Sequence, residues 1–366
     1  MSTIDATMRG EMARLWGEFR RRGFDRPATG RVLLTWAYNL GLTFAGLAAW
    51  FVFDSWWLKA AGLLVSSVGF TGVVTCGHTA AHGTALPWRW ANTALAYFGY
   101  PFMVMLSVHY WRNKHNYVHH PAPNVIGTDD DCDLMPFFAM NESEVQSAGP
   151  LRRFYYLHVQ GWLFPIALTM NGFNVQRVGW TFLVKRLLDR RTRRPAHFID
   201  LGVLLAHVGV WIVLPCVVLG VAEGLILYVL RIGFMGYAMF FAFAPAHFPA
   251  EADLLEPASG ARDFVLRQTQ ATVNFRTGVL GRLACNGVEY QIEHHLFPGI
   301  CDVHYARIAP LVREVCERNG YPYRTFGWAE GIWKSWVAIF HPRPIRRIVE
   351  PPDPRPAPES ATPVPA

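Results

Sequence analysis

Seven of the 14 histidines in this 366-residue chain fall into three tight clusters. "GHTAAH" carries His78 and His82, "HNYVHH" carries His115, His119 and His120, and "QIEHHLFP" carries His294 and His295, with Gln291 one turn before them. A neutral imidazole is a common ligand for iron, zinc, copper and nickel. On a helix, a spacing of four puts His78 and His82 on one face, and His115 and His119 on another. His120 is turned away from His119 by about 100°, so that it could address a second ion. One HxxxH pair arises often by chance, and an adjacent HH pair is weaker still. Three clusters in one chain are a different matter. Zinc is satisfied by three or four protein ligands, so seven or more imidazoles point to two ions. Spacing does not separate iron from the other metals that favour imidazole.

The elements that must position these clusters are apolar. Hydrophobic residues make up 52% of the chain and charged residues only 17%, against about 25% charged in an ordinary soluble domain. Four stretches reach the roughly 20 apolar residues that cross a bilayer as a helix: 33–53, 58–76, 199–219 and 222–244. The first two are separated by "DSWW" and the last two by little more than "GVAEG", so they read as two helical hairpins. The stretch 94–108 is shorter and is broken by Pro101, as expected of a re-entrant or interfacial segment. The stretch 155–172 is similarly ambiguous.

Basic runs fix the orientation. "RRRGFDR" (20–26) and "KRLLDRRTRR" (185–194) lie before the first hairpin and between the two, while the hairpin tips carry little beyond Lys59. The positive-inside rule then puts both termini, and all three histidine clusters, on the cytoplasmic side. The net charge of +7 is explained by topology and lipid headgroups without invoking nucleic acid. The arginine-rich first 30 residues have no apolar core and do not read as a cleavable signal peptide. The six cysteines form no close pair, and no disulfide framework is expected on the cytoplasmic side. This divides the chain into an N-terminal cytoplasmic segment (1–30), a membrane domain (31–340) and a Pro-rich tail (341–366) expected to be disordered. The expected fold is an all-α integral membrane protein, with about four spans in two hairpins and a cytoplasmic helical cap holding the metal site.

With the clusters placed, the chain resembles the membrane-bound fatty acid desaturase and hydroxylase superfamily, whose three histidine boxes surround a di-iron centre. "QTQATVNF" (268–275), "EYQIEHHLFPGICDVHYARIAPLVREVCERNGYPY" (289–323) and "HHPAPNVIGTDDDCDL" (119–134) resemble front-end acyl desaturases, whose third box begins with Gln. The likeness runs from about residue 33 to 325. It implies metal-ligand roles for His78, His82, His115, His119, His120, His294 and His295. It also implies a ligand just after the last span, a place His247 fills in "FAPAHFPAE", and it puts Gln291 at the first position of the third box.

Two departures stand out. Three residues separate His115 from His119, where many front-end members have two. The HPGG haem motif of a fused cytochrome b5 domain is missing from this sequence, so electrons are expected from a separate donor of ferredoxin or cytochrome b5 type. The activity implied is an iron- and O2-dependent oxidoreductase that places a double bond in an acyl chain carried on a lipid, CoA or acyl carrier protein. A hydroxylase, acetylenase or epoxygenase on the same scaffold is the nearest alternative. A haem-binding membrane protein without catalytic activity, or a metal transporter with histidines inside its spans, is more remote, since only His207 sits within a span. A ligating imidazole needs an acceptor for its other N–H; Asp129, Asp131 and Glu293 are the carboxylates expected to serve. His158, His197, His207 and His341 have no partner at ligand spacing, and His109 and His304 are expected to pack near the site without ligating.

Overall fold

The computed structural model describes residues 3–257 and 264–348, without the side chains of residues 3–7 and 280. In chain order the helices are α1 (Thr3–Arg21), α2 (Thr29–Val52), α3 (Trp56–Ala81), α4 (Arg89–Tyr97), α5 (Val108–Lys114), α6 (Glu142–Ser147), α7 (Pro150–His158) and α8 (Gln160–Leu188). They continue with α9 (Pro195–Val208), α10 (Leu214–Leu219), α11 (Val221–His247), α12 (Phe264–Ala271), α13 (Val279–Cys285), α14 (Gln291–Leu296), α15 (Tyr305–Arg318) and α16 (Trp328–Phe340). One short parallel pair, β1 (Asn274–Arg276) with β2 (Thr325–Gly327), is the exception to an α-helical fold among the described residues.

Four helices are long and apolar enough to cross a membrane: Thr29–Val52, Trp56–Ala81, Pro195–Leu219 and Val221–His247. They overlap the four stretches read from the sequence and extend beyond them. The reason is that helix geometry does not stop where hydropathy does. At 1.5 Å per residue, α3 and α11 are about 40 Å long, against a hydrocarbon core of about 30 Å. Their last turns therefore project past the apolar region, and these turns carry His78 and His247.

Small residues let α2 and α3 touch backbone to backbone. A Cβ on Gly46 would overlap the Gly62 carbonyl, and one on Gly72 would overlap the Asn39 side chain. Asn39 reaches out of α2 to donate to the Leu283 carbonyl at 2.9 Å, tying the span to α13. The second contact of this kind is between α8 and α11, where a Cβ on Gly236 would overlap the Leu168 carbonyl. Lys59 on α3 pairs with Glu223 on α11 and lies 5.1 Å from the Trp56 ring centre, which fastens the two pairs of spans at the end remote from the histidines.

The stretch 94–108 does not cross as a helix. It runs from α4 through a π-turn at Phe98–Phe102 that contains Pro101, and leaves it with Met105 at φ 67°. Broken backbone in an apolar setting needs polar partners, and three side chains from other helices provide them. His207 Nδ1 lies 2.6 Å from the Phe102 carbonyl, Arg231 donates to the Met103 carbonyl at 2.8 Å, and Gln176 donates to the Val104 carbonyl at 3.1 Å. The Arg231 guanidinium also lies 3.9 Å from the Trp211 ring centre. The segment is thereby held in place up to Ser107, whose hydroxyl caps α5 by accepting from Tyr110 N–H and donates to Asp200 at 2.5 Å. These contacts aim the helix that leads into the second histidine cluster.

The ambiguous stretch 155–172 belongs to α7 and α8; α8 runs for 29 residues along α11 and is not among the four apolar candidates. Residues 341–348, assigned from sequence to the disordered tail, lie along two other segments. Arg343 exchanges backbone hydrogen bonds with Met140 and Glu142, and Arg346 with Leu254 and Glu256. Proline content alone misses this because backbone pairing with distant segments leaves no local signal. Residues 349–366 lie outside the described residues. A Gly236→Val substitution should push α11 off α8 and cost about 1–3 kcal/mol, read as a thermal midpoint several degrees lower for the detergent-purified protein, while Gly10→Ala on the surface of α1, where a Cβ meets nothing, should leave it no lower.

Candidate metal centre

The second cluster is built on an unusual turn. α5 is regular up to Lys114, and His115–His119 then form a π-turn closed by a bond from His120 N–H to the His115 carbonyl at 3.0 Å. A π-turn takes one residue more than an α-turn. His115 is therefore brought over His120, and their Nε2 atoms are 3.0 Å apart. The sequence reading put His115 and His119 on one face to serve together. The wider turn instead sends them to different groups, although their rings still stack with centres 5.3 Å apart.

Among the described residues, the histidines gather into one group of four and one of three. His78, His82, His115 and His294 form the first, with ligand nitrogens all within 4.8 Å of one another. His119, His247 and His295 form the second within the same limit. His120 lies at the junction, its ring centre 4.6 Å from those of both His294 and His295. The neighbours His294 and His295 point to different groups because their rings are perpendicular. The 3.0 Å separation of His78 Nε2 and His115 Nε2 equals that of two nitrogens bound at right angles about 2.1 Å from one ion.

The outward nitrogens of His119, His294 and His295 have partners. His119 Nδ1 lies 2.8 Å from Asp129 Oδ2, a carboxylate that also accepts from Asn124 N–H at 2.9 Å. Asp131 is 3.4 Å from the same nitrogen and pairs with Lys114 at 2.7 Å. His295 Nδ1 meets Gln268 Oε1 at 2.9 Å, and the Gln268 amide donates to the His120 carbonyl, so one side chain clamps two clusters. His294 Nδ1 lies 3.4 Å from the Tyr305 hydroxyl. Trp111, four residues before His115, stacks on its ring at 4.4 Å and also packs against His78 and His82.

The inward nitrogens have no such partners. His82 Nε2, His294 Nε2 and His295 Nε2 are buried and find no hydrogen bond from the protein. Buried polar atoms are rarely left so, and several lone pairs converging on one point are what a cation requires. Burial, reinforced by mutual repulsion, holds His82, His115, His120, His294 and His295 well below the usual histidine range, so they are neutral and able to donate lone pairs. At His119 burial alone would do the same, but the Asp129 and Asp131 carboxylates outweigh it and the pKa is raised.

Not every expected role is filled as written. Glu293, on the helix turn beside His294, faces away from the imidazoles. It accepts from Asn274 at 2.8 Å and from Tyr323 at 2.7 Å, and burial pushes its pKa up to about 7. One step along a helix is a turn of about 100°, which carries its carboxylate to the β1 side of α14. Gln291 brings its side-chain amide to 2.9 Å from His247 Nε2. His158 and His341 are exposed, His197 accepts from Arg194 N–H, and His304 bonds to the Arg26 carbonyl. His109 meets the Tyr97 hydroxyl at 3.2 Å. Sequence reasoning assigned no role to Gln268, Asn124, Asn274, Tyr305 or Trp111. Only Trp111 left a local sign, its four-residue spacing from His115.

With this geometry in hand, a family model described as fatty acid desaturase matches residues 54–327. The chain belongs to the fatty acid desaturase family. It is 26% identical over 317 residues to the sn-1 linoleoyl-lipid 6-desaturase of Arthrospira platensis, covering 81% of this chain and 82% of that one. To the enzyme of the same name from Synechocystis sp. it is 28% identical over 261 residues, covering 68% and 70%. It is also 25% identical over 251 residues to human Fatty acid desaturase 3, covering 67% of this chain and 53% of the human one. This desaturase is thus a membrane-bound oxidoreductase whose histidine groups are consistent with a di-iron centre.

The imidazole environment gives the metal-free protein a defined pH response. Its unfolded histidines take up protons as pH falls through about 6.5, while five buried ones resist, so the unfolded state binds more protons and stability falls with pH. His119 opposes this, and so do the Glu289 and Glu293 carboxyls, pushed by burial up to about 7, and Asp302, pushed up to about 6, which take up protons sooner in the folded state. The thermal midpoint of the metal-free desaturase should still drop, by about 2 °C or more, between pH 7.5 and 5.5; a rise over that interval would mean that proton uptake by His119 and the buried carboxyls outweighs the resistance of the imidazoles.

Proposed function

We propose that the chain is a front-end acyl desaturase that converts –CH2–CH2– in an acyl chain to –CH=CH–, consuming O2, two electrons and two protons and releasing two waters. The observation that carries this reading is the pair of converging histidine groups, in which His119, His294 and His295 have partners at Nδ1 while His82, His294 and His295 carry an unpartnered buried Nε2. His78, His82, His115 and His294 would hold one iron; His119, His247 and His295 would hold the other, with His120 in reach of both. Two irons bound there would supply the O2-dependent redox chemistry that an unactivated methylene requires. Asp129, Gln268 and Tyr305 fix the direction of the ligand nitrogens, Asp131 adds charge beside His119, and Gln291 orients His247 rather than ligating.

The spans form two hairpins, with both termini and a helical cap around the centre on the cytoplasmic side. The basic run 185–194 directly before Pro195 and the absence of comparable runs near Gly220 support this orientation. Electrons come from an external ferredoxin or cytochrome b5 type protein. Two relatives named for a lipid-linked linoleoyl group make a lipid-linked acyl chain the first substrate to test.

Lipid profiling of a host expressing the chain should reveal a new unsaturated acyl species that is lost in His294→Ala, and the purified protein should contain about two irons. An added oxygen or an alkyne in the product would reassign the reaction to a hydroxylase or acetylenase, and a Soret band would point to haem. Asp129→Asn should keep the fold but weaken iron binding by about 10–100-fold, measured by titration with a competing chelator.

A further inference from the structure

The four-histidine group has two unlike sides. On one, the Trp111 indole packs against His78, His82 and His115 with ring centres 4.4–5.6 Å apart. On the other lies a small cavity of about 10 Å³, about the room that one water needs. His78, His82 and His294 of the group line it. Thr84, Val288, Pro298 and Asp302 line it as well, with Thr79 and Tyr305. Thr84, Pro298 and Asp302 are partly exposed, whereas Val288 is buried, and none of these four lies on a candidate span.

We propose that this cavity is the aqueous port of the site, through which water and protons exchange with the four-histidine group. The inference rests on the desaturase reading, which requires two protons in and two waters out for each double bond. Within the group His78 and His294 are buried while His82 and His115 are partly exposed, and His82 is also part of the cavity lining, so the cavity borders the group where it comes within reach of solvent. The apolar chain enters from the lipid side, so the polar route must open elsewhere. The cavity fits in its chemistry as well as its place. Asp302 is held at the mouth by bonds from the Thr79 hydroxyl and from Val303 N–H at 2.8 Å. It contributes a carboxylate to an enclosure otherwise lined by imidazoles, hydroxyls and two apolar side chains, so water inside has polar partners.

The test uses Val288→Cys in the full-length protein in lipid nanodiscs, challenged with aqueous silver ion, a thiol-binding probe close to water in size. Blocked thiols are counted by alkylation after denaturation and peptide mass mapping. The thiol introduced at position 288 should be blocked at least about tenfold faster than the buried native Cys285, and adding Thr84→Trp at the mouth should slow it by at least about tenfold. Blocking no faster than at Cys285, or a rate indifferent to Thr84→Trp, overturns the port. Iron content and lipid product measured on the same preparation keep the two readings apart. Fast blocking that Thr84→Trp slows, without iron or product, would leave the port standing and remove the desaturation it was invoked to serve. Iron and product with an unreactive thiol at position 288 would remove the port alone.

Discussion

An imidazole has two nitrogens, and it offers one of them to a metal in a fixed direction only when the other is held. That constraint organises this molecule. Asp129 holds His119, Gln268 holds His295 and Tyr305 lies behind His294. Each of these partners is itself fixed from elsewhere in the chain. Asn124 donates its backbone N–H to Asp129 while its amide donates to the His247 carbonyl at 2.9 Å. Gln268 on α12 joins the second cluster to the third. Because the imidazoles are also crowded together and, His119 apart, held low by burial and mutual repulsion, they offer lone pairs, and the outward hydrogen bonds have the further task of choosing which nitrogen carries the proton.

The same logic explains the polar residues within the spans. Arg231, His207 and Gln176 are costly in an apolar layer, and each answers a carbonyl freed where the chain turns at Phe98–Phe102. Their effect reaches the metal centre through one short connection. The fixed carbonyls lead to Ser107, Ser107 caps α5 and bonds to Asp200 on α9, and α5 delivers Trp111 and His115. The second cluster is thus referenced to the helices of the second pair of spans, while the first cluster rides on the end of α3. Gly46 and Gly62 lock α3 against α2, Gly236 locks α11 against α8, and the Lys59–Glu223 pair joins α3 to α11.

Much of this could be read before any coordinates. Hydropathy located four helices because a helix in lipid must be apolar over its whole length, a property written locally and redundantly. The three histidine clusters were legible for the same reason, since each is a run of a few residues, and the likeness of the flanking segments to desaturases agreed with the family match. Asp129 was legible as a carboxylate near the second cluster. Less was visible where two distant segments meet. Gln268, Asn274 and Asn124 look like ordinary amides in the sequence, and the segment 341–348 looks like a free tail until its backbone is seen bonded to residues 140–142 and 254–256.

What the sequence determined by itself is the chemistry available: three clusters of imidazoles outside or at the edge of the apolar helices, in a number consistent with two ions. What only the tertiary structure decided is how they are shared. A periodic helix pairs His115 with His119, yet the π-turn pairs His115 with His120 across a bond from residue 120 to 115 and releases His119 to meet His247 and His295. Likewise, adjacency along α14 suggested that Glu293 would serve its histidine neighbour, whereas the turn of the helix gave it to Asn274 and Tyr323. Periodicity states which residues are near one another along one helix. Whether a turn is α or π, and what stands on its other side, depends on contacts with segments far away in the chain.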